Sequence, residues 1–112
     1  MIEDTAAKIA ARLKELWRTS RPTILERISL LRSACDRLTE NPADREARST
    51  GREAAHKLSG VLGVFGLPQG SEIASSIEFL LKSDQPPTAK DLVTLRAQIA
   101  DLDAMIASRE SS

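Results

Sequence analysis

The reactive inventory of this chain is short. Its 112 residues include one histidine, His56, one cysteine, Cys35, and no tyrosine. One Cys with one His cannot supply the three or four protein ligands of a usual zinc site, and a lone cysteine excludes an internal disulfide framework. Cys35 falls on an apolar stripe with nothing nearby to activate a thiolate, so it reads as a small core hydrophobe. Any chemistry therefore rests on His56. Imidazole is nucleophilic and largely uncharged near neutral pH, with one ring nitrogen free to attack while a hydrogen bond orients the other.

Around the histidine, the run Ala55-His56-Lys57-Leu58-Ser59-Gly60-Val61-Leu62-Gly63-Val64-Phe65-Gly66 has a helical pattern. With successive residues about 100° apart, Ala54, Ala55, Leu58, Val61, Leu62 and Phe65 share one face and His56 takes the opposite one. His56 is thus expected at the surface. Gly60 and Gly63 interrupt the pattern, although a glycine inside a helix costs about 1 kcal/mol relative to alanine. Both lie within about 40° of the histidine, so the surface beside the ring is stripped to backbone and open to close approach by a partner. The competing explanation is that these glycines accommodate a neighbouring helix of the same chain.

The elements that must position this helix are also helical. Ile2, Ala6, Ile9, Leu13 and Leu16 step by four and three, predicting a first helix over about 3–18. Pro22 suits a first helical position and precedes the stripe Ile24, Ile28, Leu31, Cys35 and Leu38, a second helix ended by Asn41-Pro42. The histidine helix follows. Its start is ambiguous between Asn41-Pro42 and a capping box at Thr50-x-x-Glu53, with Gly51 as a soft joint or a break. Gly66-Leu67-Pro68 ends it and opens a helix carrying Ile73, Ile77, Leu80 and Leu81. Thr88 with Asp91 is a cap for a last helix striped by Leu92, Leu95, Ile99, Leu102 and Ile106. No run alternates like a strand, so the expected class is all-α. The expected architecture is an antiparallel up-and-down four-helix bundle over about 22–108 with an additional N-terminal helix and a flexible C-terminal tail, all in one domain, 1–112.

The run from Ala55 to Leu67, followed by Ile77-Glu78, resembles the signature of histidine-containing phosphotransfer (HPt) domains, roughly A-H-x-L-x-G-x-x-G-x-x-G with a later L-E or I-E pair. The likeness covers Ala54 to about Glu78, and the remainder agrees in length and helical pattern. It implies a four-helix bundle, often with an extra N-terminal helix. The resemblance also implies that the exposed histidine of such a bundle accepts a phosphoryl group from an aspartyl phosphate on a receiver domain and passes it to another receiver. Carried over, His56 matches the phosphoryl acceptor, Gly60 and Gly63 the small residues that make room for the receiver, and Leu58 the core anchor beneath. Many family members place lysine three positions after the histidine, where this chain has Ser59, with Lys57 next to His56 instead.

On a straight helix Lys57 points about 100° from His56, whereas Arg52, one turn earlier, lies about 40° away with a guanidinium suited to bidentate contact. Lys57 and Arg52 are thus candidate phosphoryl-stabilising cations, the alternative for both being a solvated helix-face charge. Ser59, about 60° from His56, and Gln69, if the turn at Gly66 folds it back, are candidate hydrogen-bond donors. Candidate docking residues flanking the histidine are Gly60, Gly63, Val64 and Arg48. No acidic constellation surrounds His56 beyond Glu53, so no metal is expected on this chain, and the magnesium of the transfer reaction is expected on the receiver.

Composition excludes several other classes. Sixteen basic residues offset sixteen acidic ones, leaving no field to gather nucleic acid or an anionic membrane. Aromatics make up 3% of the chain, too few for base-stacking platforms. No apolar run approaches a membrane span and no secretory leader is visible, so a cytoplasmic protein is expected. An enzyme using His56 as general base lacks a second titratable group aimed at it, and no phosphate-cradling G-x-x-x-x-G-K-[ST] loop is present. The expected protein is a phosphocarrier whose partners are receiver domains of response regulators or hybrid histidine kinases. The alternative is a helical module that docks such a partner without carrying phosphate. The stripes of the first and last helices also allow self-association, with a monomer favoured and Trp17 packing over the bundle end or within such a contact.

Overall fold

The computed structural model describes residues 2–111, with side chains from Asp4 to Arg109. Four helices follow one another: α1 (Ile2–Glu40), α2 (Arg45–Val64), α3 (Pro68–Lys82) and α4 (Ala89–Ser111). Each packs on its chain neighbour, and α4 returns to α1, so the four close into a ring. The short connections between them force consecutive helices to run antiparallel.

The stripes that form the core are those of α1 beyond Pro22 and of α4. Ile24, Ile28, Leu31, Cys35 and Leu38 are fully buried, as are Leu95, Leu102 and Ile106, with Leu92 and Ile99 nearly so. Facing them are Leu58 and Leu62 of α2 and Ile77 and Leu81 of α3. Cys35 is a core residue, and burial pushes its thiol above the ordinary value. The N-terminus of α4 carries the expected cap in reciprocal form: Thr88 N–H donates to the Asp91 carboxylate at 2.9 Å and Asp91 N–H to Thr88 Oγ1 at 3.1 Å.

No separate N-terminal helix precedes the four. The expected break at Pro22 does not occur, and α1 runs unbroken for 39 residues with Pro22 inside it. An interior proline costs about 3 kcal/mol through its missing N–H and its ring. Trp17 and Ile24, seven residues apart on one side of the helix, are both buried against the bundle. Burying a large apolar side chain contributes about 1.5–3 kcal/mol, so anchors on both sides of Pro22 offset its cost. The stripe expected to hold the first helix does not face the bundle: residues 4–16 are all exposed, including Ile9, Leu13 and Leu16. The residue that docks is Trp17, one position off that stripe. Its ring meets Phe65 edge-on at 5.3 Å, and the Arg109 guanidinium lies 4.8 Å from its centre. Trp17 therefore closes the bundle end, and the first turns of α1 project past it, giving a molecule 57 Å long.

The start of α2 also differs from both alternatives. Its N-cap is Asp44, whose side chain accepts from Ala47 N–H at 3.0 Å. Asn41 caps only the turn before it, accepting from Ala43 N–H. Thr50 and Gly51 lie inside the helix, and Gly51 is buried at a three-helix contact. A Cβ there would stand 2.9 Å from Leu81 Cδ1 and 3.2 Å from Ala34 Cβ. It marks close packing and not a joint.

At the other end α2 terminates as expected. Gly66 takes φ 71°, a conformation open chiefly to glycine. Gly66 N–H then donates to Gly63 C=O and Leu67 N–H to Leu62 C=O, the paired bonds of a Schellman motif. This turn folds α3 back along α2. Helix α4 continues to Ser111, past position 108 where the sequence places the end of the bundle; the remaining tail residue, 112, lies outside the described residues.

Candidate functional site

The α2–α3 hairpin carries the site. His56 projects from the middle of α2 with its side chain 73% exposed, as its helix-wheel position requires. Its Nδ1 lies 2.9 Å from Oε2 of Glu78 on α3. A carboxylate can only accept, so the pair fixes the ring proton on Nδ1 and leaves the lone pair of neutral imidazole on Nε2. The Glu78 side chain is 30% exposed, held between the helices while the ring it orients stays open to solvent.

One turn further along, three serines join the same two helices. Ser59 Oγ lies 2.7 Å from Ser75 Oγ and 3.4 Å from Ser71 Oγ, and the Ser71 hydroxyl donates to Ser59 C=O at 2.7 Å. Ser59 thus faces α3, committed to holding the hairpin at the level of His56. Gly63 belongs to the same seam, since a Cβ there would rest at ordinary contact distance, 3.6 Å, from Ser71 Oγ. Gly60 is different. A Cβ on it would meet nothing within 4 Å, so no helix of this chain requires the glycine, and its face beside His56 is open.

The remaining candidates are dispersed. Lys57 pairs with Glu53 at 3.0 Å along the outer side of α2, and that bond and charge hold the Glu53 carboxyl below its ordinary value. Arg52 lines an open polar groove with Arg45, Arg48, Lys82 and Asp84, on the His56 side of the α2 wheel. Arg48 is occupied at the end of α3, donating to Ser83 C=O at 2.9 Å and Gln85 C=O at 3.0 Å. It ties down the backbone just beyond the end of α3. Val64 is 70% exposed on the outer face of α2. Gln69 is not brought to His56. The turn at Gly66 places it at the start of α3, nine residues and about 13 Å of helix from Glu78, beside Met105 and Arg109.

Glu78 is the partner that residue-by-residue reading of α2 left without a role. A signal for it exists in the hairpin: Gly66 lies ten residues after His56 and twelve before Glu78, so two antiparallel arms of similar length bring them level. Among the described residues no three His, Cys, Asp or Glu side chains gather as a metal site, and no helix is long and apolar enough to cross a membrane.

An exposed histidine thus stands on one helix of a four-helix bundle, ring-held by a glutamate from the next and flanked by an open glycine. The Hpt domain model matches residues 5–105. The chain belongs to the Hpt domain family. Hpt domains are phosphocarriers in phosphorelays, not catalytic enzymes, and they interact with receiver domains. This Hpt domain is also similar to Protein RcaC of Microchaete diplosiphon, 29% identical over 109 residues. That likeness takes in 92% of the present chain but 17% of RcaC, so the Hpt domain spans about a sixth of the relative it matches. No solved structure matches it.

Proposed function

We propose that His56 is the phosphoryl acceptor of this Hpt domain, loaded from an aspartyl phosphate on a receiver domain and unloaded onto another receiver. The observation that carries the reading is the bond from Nδ1 to Glu78 on an otherwise exposed ring. The Nε2 lone pair attacks phosphorus in line, the bond from phosphorus to the aspartyl oxygen breaks, and the receiver's carboxylate leaves with that electron pair. The ring becomes a phosphoimidazolium, its Nδ1 proton retained and its positive charge facing the Glu78 carboxylate. Transfer to the next receiver reverses these steps on a new aspartate. Because the charge appears as the bond forms, Glu78 favours the transition state over the free imidazole.

The receiver contributes the magnesium ion and the groups around its aspartate. This chain contributes an oriented nucleophile and a surface on which to dock, with Gly60 and Gly63 letting the receiver backbone approach and Val64 at the edge. Arg52 is the better placed of the two cations to reach a phosphoryl oxygen, since Lys57 is drawn to Glu53. Ser59 supports the hairpin, and a buried free thiol at Cys35 suits a reducing cytoplasm.

The test is to incubate wild type and His56→Gln with a panel of phosphorylated receiver domains and magnesium, and follow acid-labile, base-stable phosphate. Label on wild type alone supports the carrier. Absence of label from every receiver, with His56→Gln still binding one as tightly as wild type, rejects it in favour of a docking module.

A further inference from the structure

The protein has two phenylalanines and one tryptophan. Trp17 and Phe65 close the bundle end, each 7% exposed, whereas Phe79 is 81% exposed. Phe79 follows Glu78 directly, so its Cα lies about 3.8 Å from that of the residue whose carboxylate touches His56. On the α3 wheel Gly70, Ala74, Ile77 and Leu81 mark the buried face, and Phe79 lies about 170° from its centre, on the outward side of the hairpin. Its neighbours one turn away toward the start of the helix are Ser75 and Ser76, both short, so the ring stands clear of the surface around it.

A receiver that brings its aspartate into bonding range of His56 must cover the histidine. Even a small specific interface buries about 600 Å² on each partner, a patch of about 14 Å radius. Phe79 falls inside any such patch centred on His56. On the α2 wheel the open backbone at Gly60 lies about 40° and the exposed Val64 about 80° from His56, both on the side of the ring away from α3. Aromatic side chains are enriched at interfaces and often carry a large share of the binding energy once water is excluded around them.

We propose that Phe79 is the docking anchor of this Hpt domain, inserting into an apolar recess beside the phosphorylated aspartate of its receiver. The inference rests on the carrier reading of His56 and adds the residue that selects the partner. A receiver with a charged group at the facing position would have to bury it unpaired, so Phe79 discriminates among receivers as well as binding one.

The test compares Phe79→Ala and Phe79→Asp with wild type in two reactions. One is labelling of His56 by phosphoramidate, a small donor that needs no docking surface. The other is transfer from the receiver that loads wild type fastest in the panel. Ile9→Ser is the control, an exposed apolar residue on the projecting part of α1 more than about 20 Å along the bundle axis from His56. The expected result is unchanged labelling by phosphoramidate in every variant, unchanged receiver transfer in Ile9→Ser, and a fall of about tenfold or more in both Phe79 variants. Transfer within twofold of wild type in both Phe79 variants overturns the docking inference and leaves the carrier reading intact. Labelling of wild type by phosphoramidate but by no receiver overturns both.

Discussion

His56 Nδ1 and Glu78 Oε2 stand 2.9 Å apart across the α2–α3 hairpin, and this pair orients a surface imidazole with its other nitrogen outward, as the proposed phosphoryl acceptor requires. Exposure alone would leave the ring free to rotate and either nitrogen free to carry the proton. The glutamate restricts both, while leaving the opposite nitrogen accessible.

Replacing Glu78 with alanine should therefore slow loading without unfolding the bundle, because the carboxylate is partly exposed and lies outside the core. A hydrogen bond to a charged group is worth about 1.5–3 kcal/mol, equivalent to roughly 10- to 150-fold in rate. Glu78→Gln keeps an acceptor but not the charge and should fall between alanine and wild type. Stopped-flow transfer from a phosphorylated receiver measures the series, and equal rates in all three proteins would remove Glu78 from the chemistry.

Two glycines of α2 should respond to alanine in opposite directions. Gly60 has open space where a Cβ would sit, so Gly60→Ala should gain stability by about 0.5–1 kcal/mol from helix propensity. Gly51 is hemmed in by Leu81 and Ala34, and overpacking costs of about 1–3 kcal/mol should exceed that gain and destabilise Gly51→Ala. Urea titrations of both variants decide the matter. The bulkier Gly60→Leu should stay folded and yet lose receiver transfer.

Much of this fold is written in the spacing of its apolar residues, and what is not has a physical cause. The buried stripes of α4 and of α1 beyond Pro22, the Thr88 cap and the stop at Gly66 are local patterns, and each stands where the sequence puts it. Pro22 misleads because a proline opens helices more often than it interrupts them, and only tertiary burial of Trp17 and Ile24 carries α1 through it. Asp44 is overshadowed as a cap by the stronger-looking Asn41-Pro42 and Thr50-x-x-Glu53. His56 is legible as exposed from α2 alone. The bond to Glu78, the diversion of Ser59 to Ser75 and the use of Arg48 at the end of α3 are contacts between helices, which periodicity within one helix does not encode.

The length of α1 yields a second stability contrast. Trp17→Ala should cost about 3–5 kcal/mol, as large aromatic truncations in cores do, since it removes the edge contact with Phe65 and the stack beneath Arg109. Leu13→Ala, one turn earlier and 37% exposed, should cost well under about 1 kcal/mol. Chemical denaturation followed by far-UV circular dichroism measures both. A large loss in Leu13→Ala would mean that the projecting stripe is covered in solution.

Acid should loosen the start of α2. The Ala47 N–H, and after it the charge of Arg37, holds the Asp44 carboxyl below its ordinary value of 3.8. A carboxyl whose folded value is lowered contributes stability that is complete above its unfolded value and is lost as pH falls through the folded one. The stability difference between wild type and Asp44→Asn should accordingly be constant above about pH 5 and shrink below about pH 4. Thermal melts across that range provide the measurement, and a difference that grows on acidification would contradict the assigned role of the cap.

With Glu78 occupying Nδ1, His56 should react through Nε2. The position of phosphate on the ring, read by ¹⁵N and ³¹P NMR of protein labelled at histidine and loaded by a receiver, tests this directly. The expected product is a single phosphohistidine, at His56, with phosphorus bonded to Nε2 and the proton retained on Nδ1. Phosphorus on Nδ1, or on any residue other than His56, would contradict it.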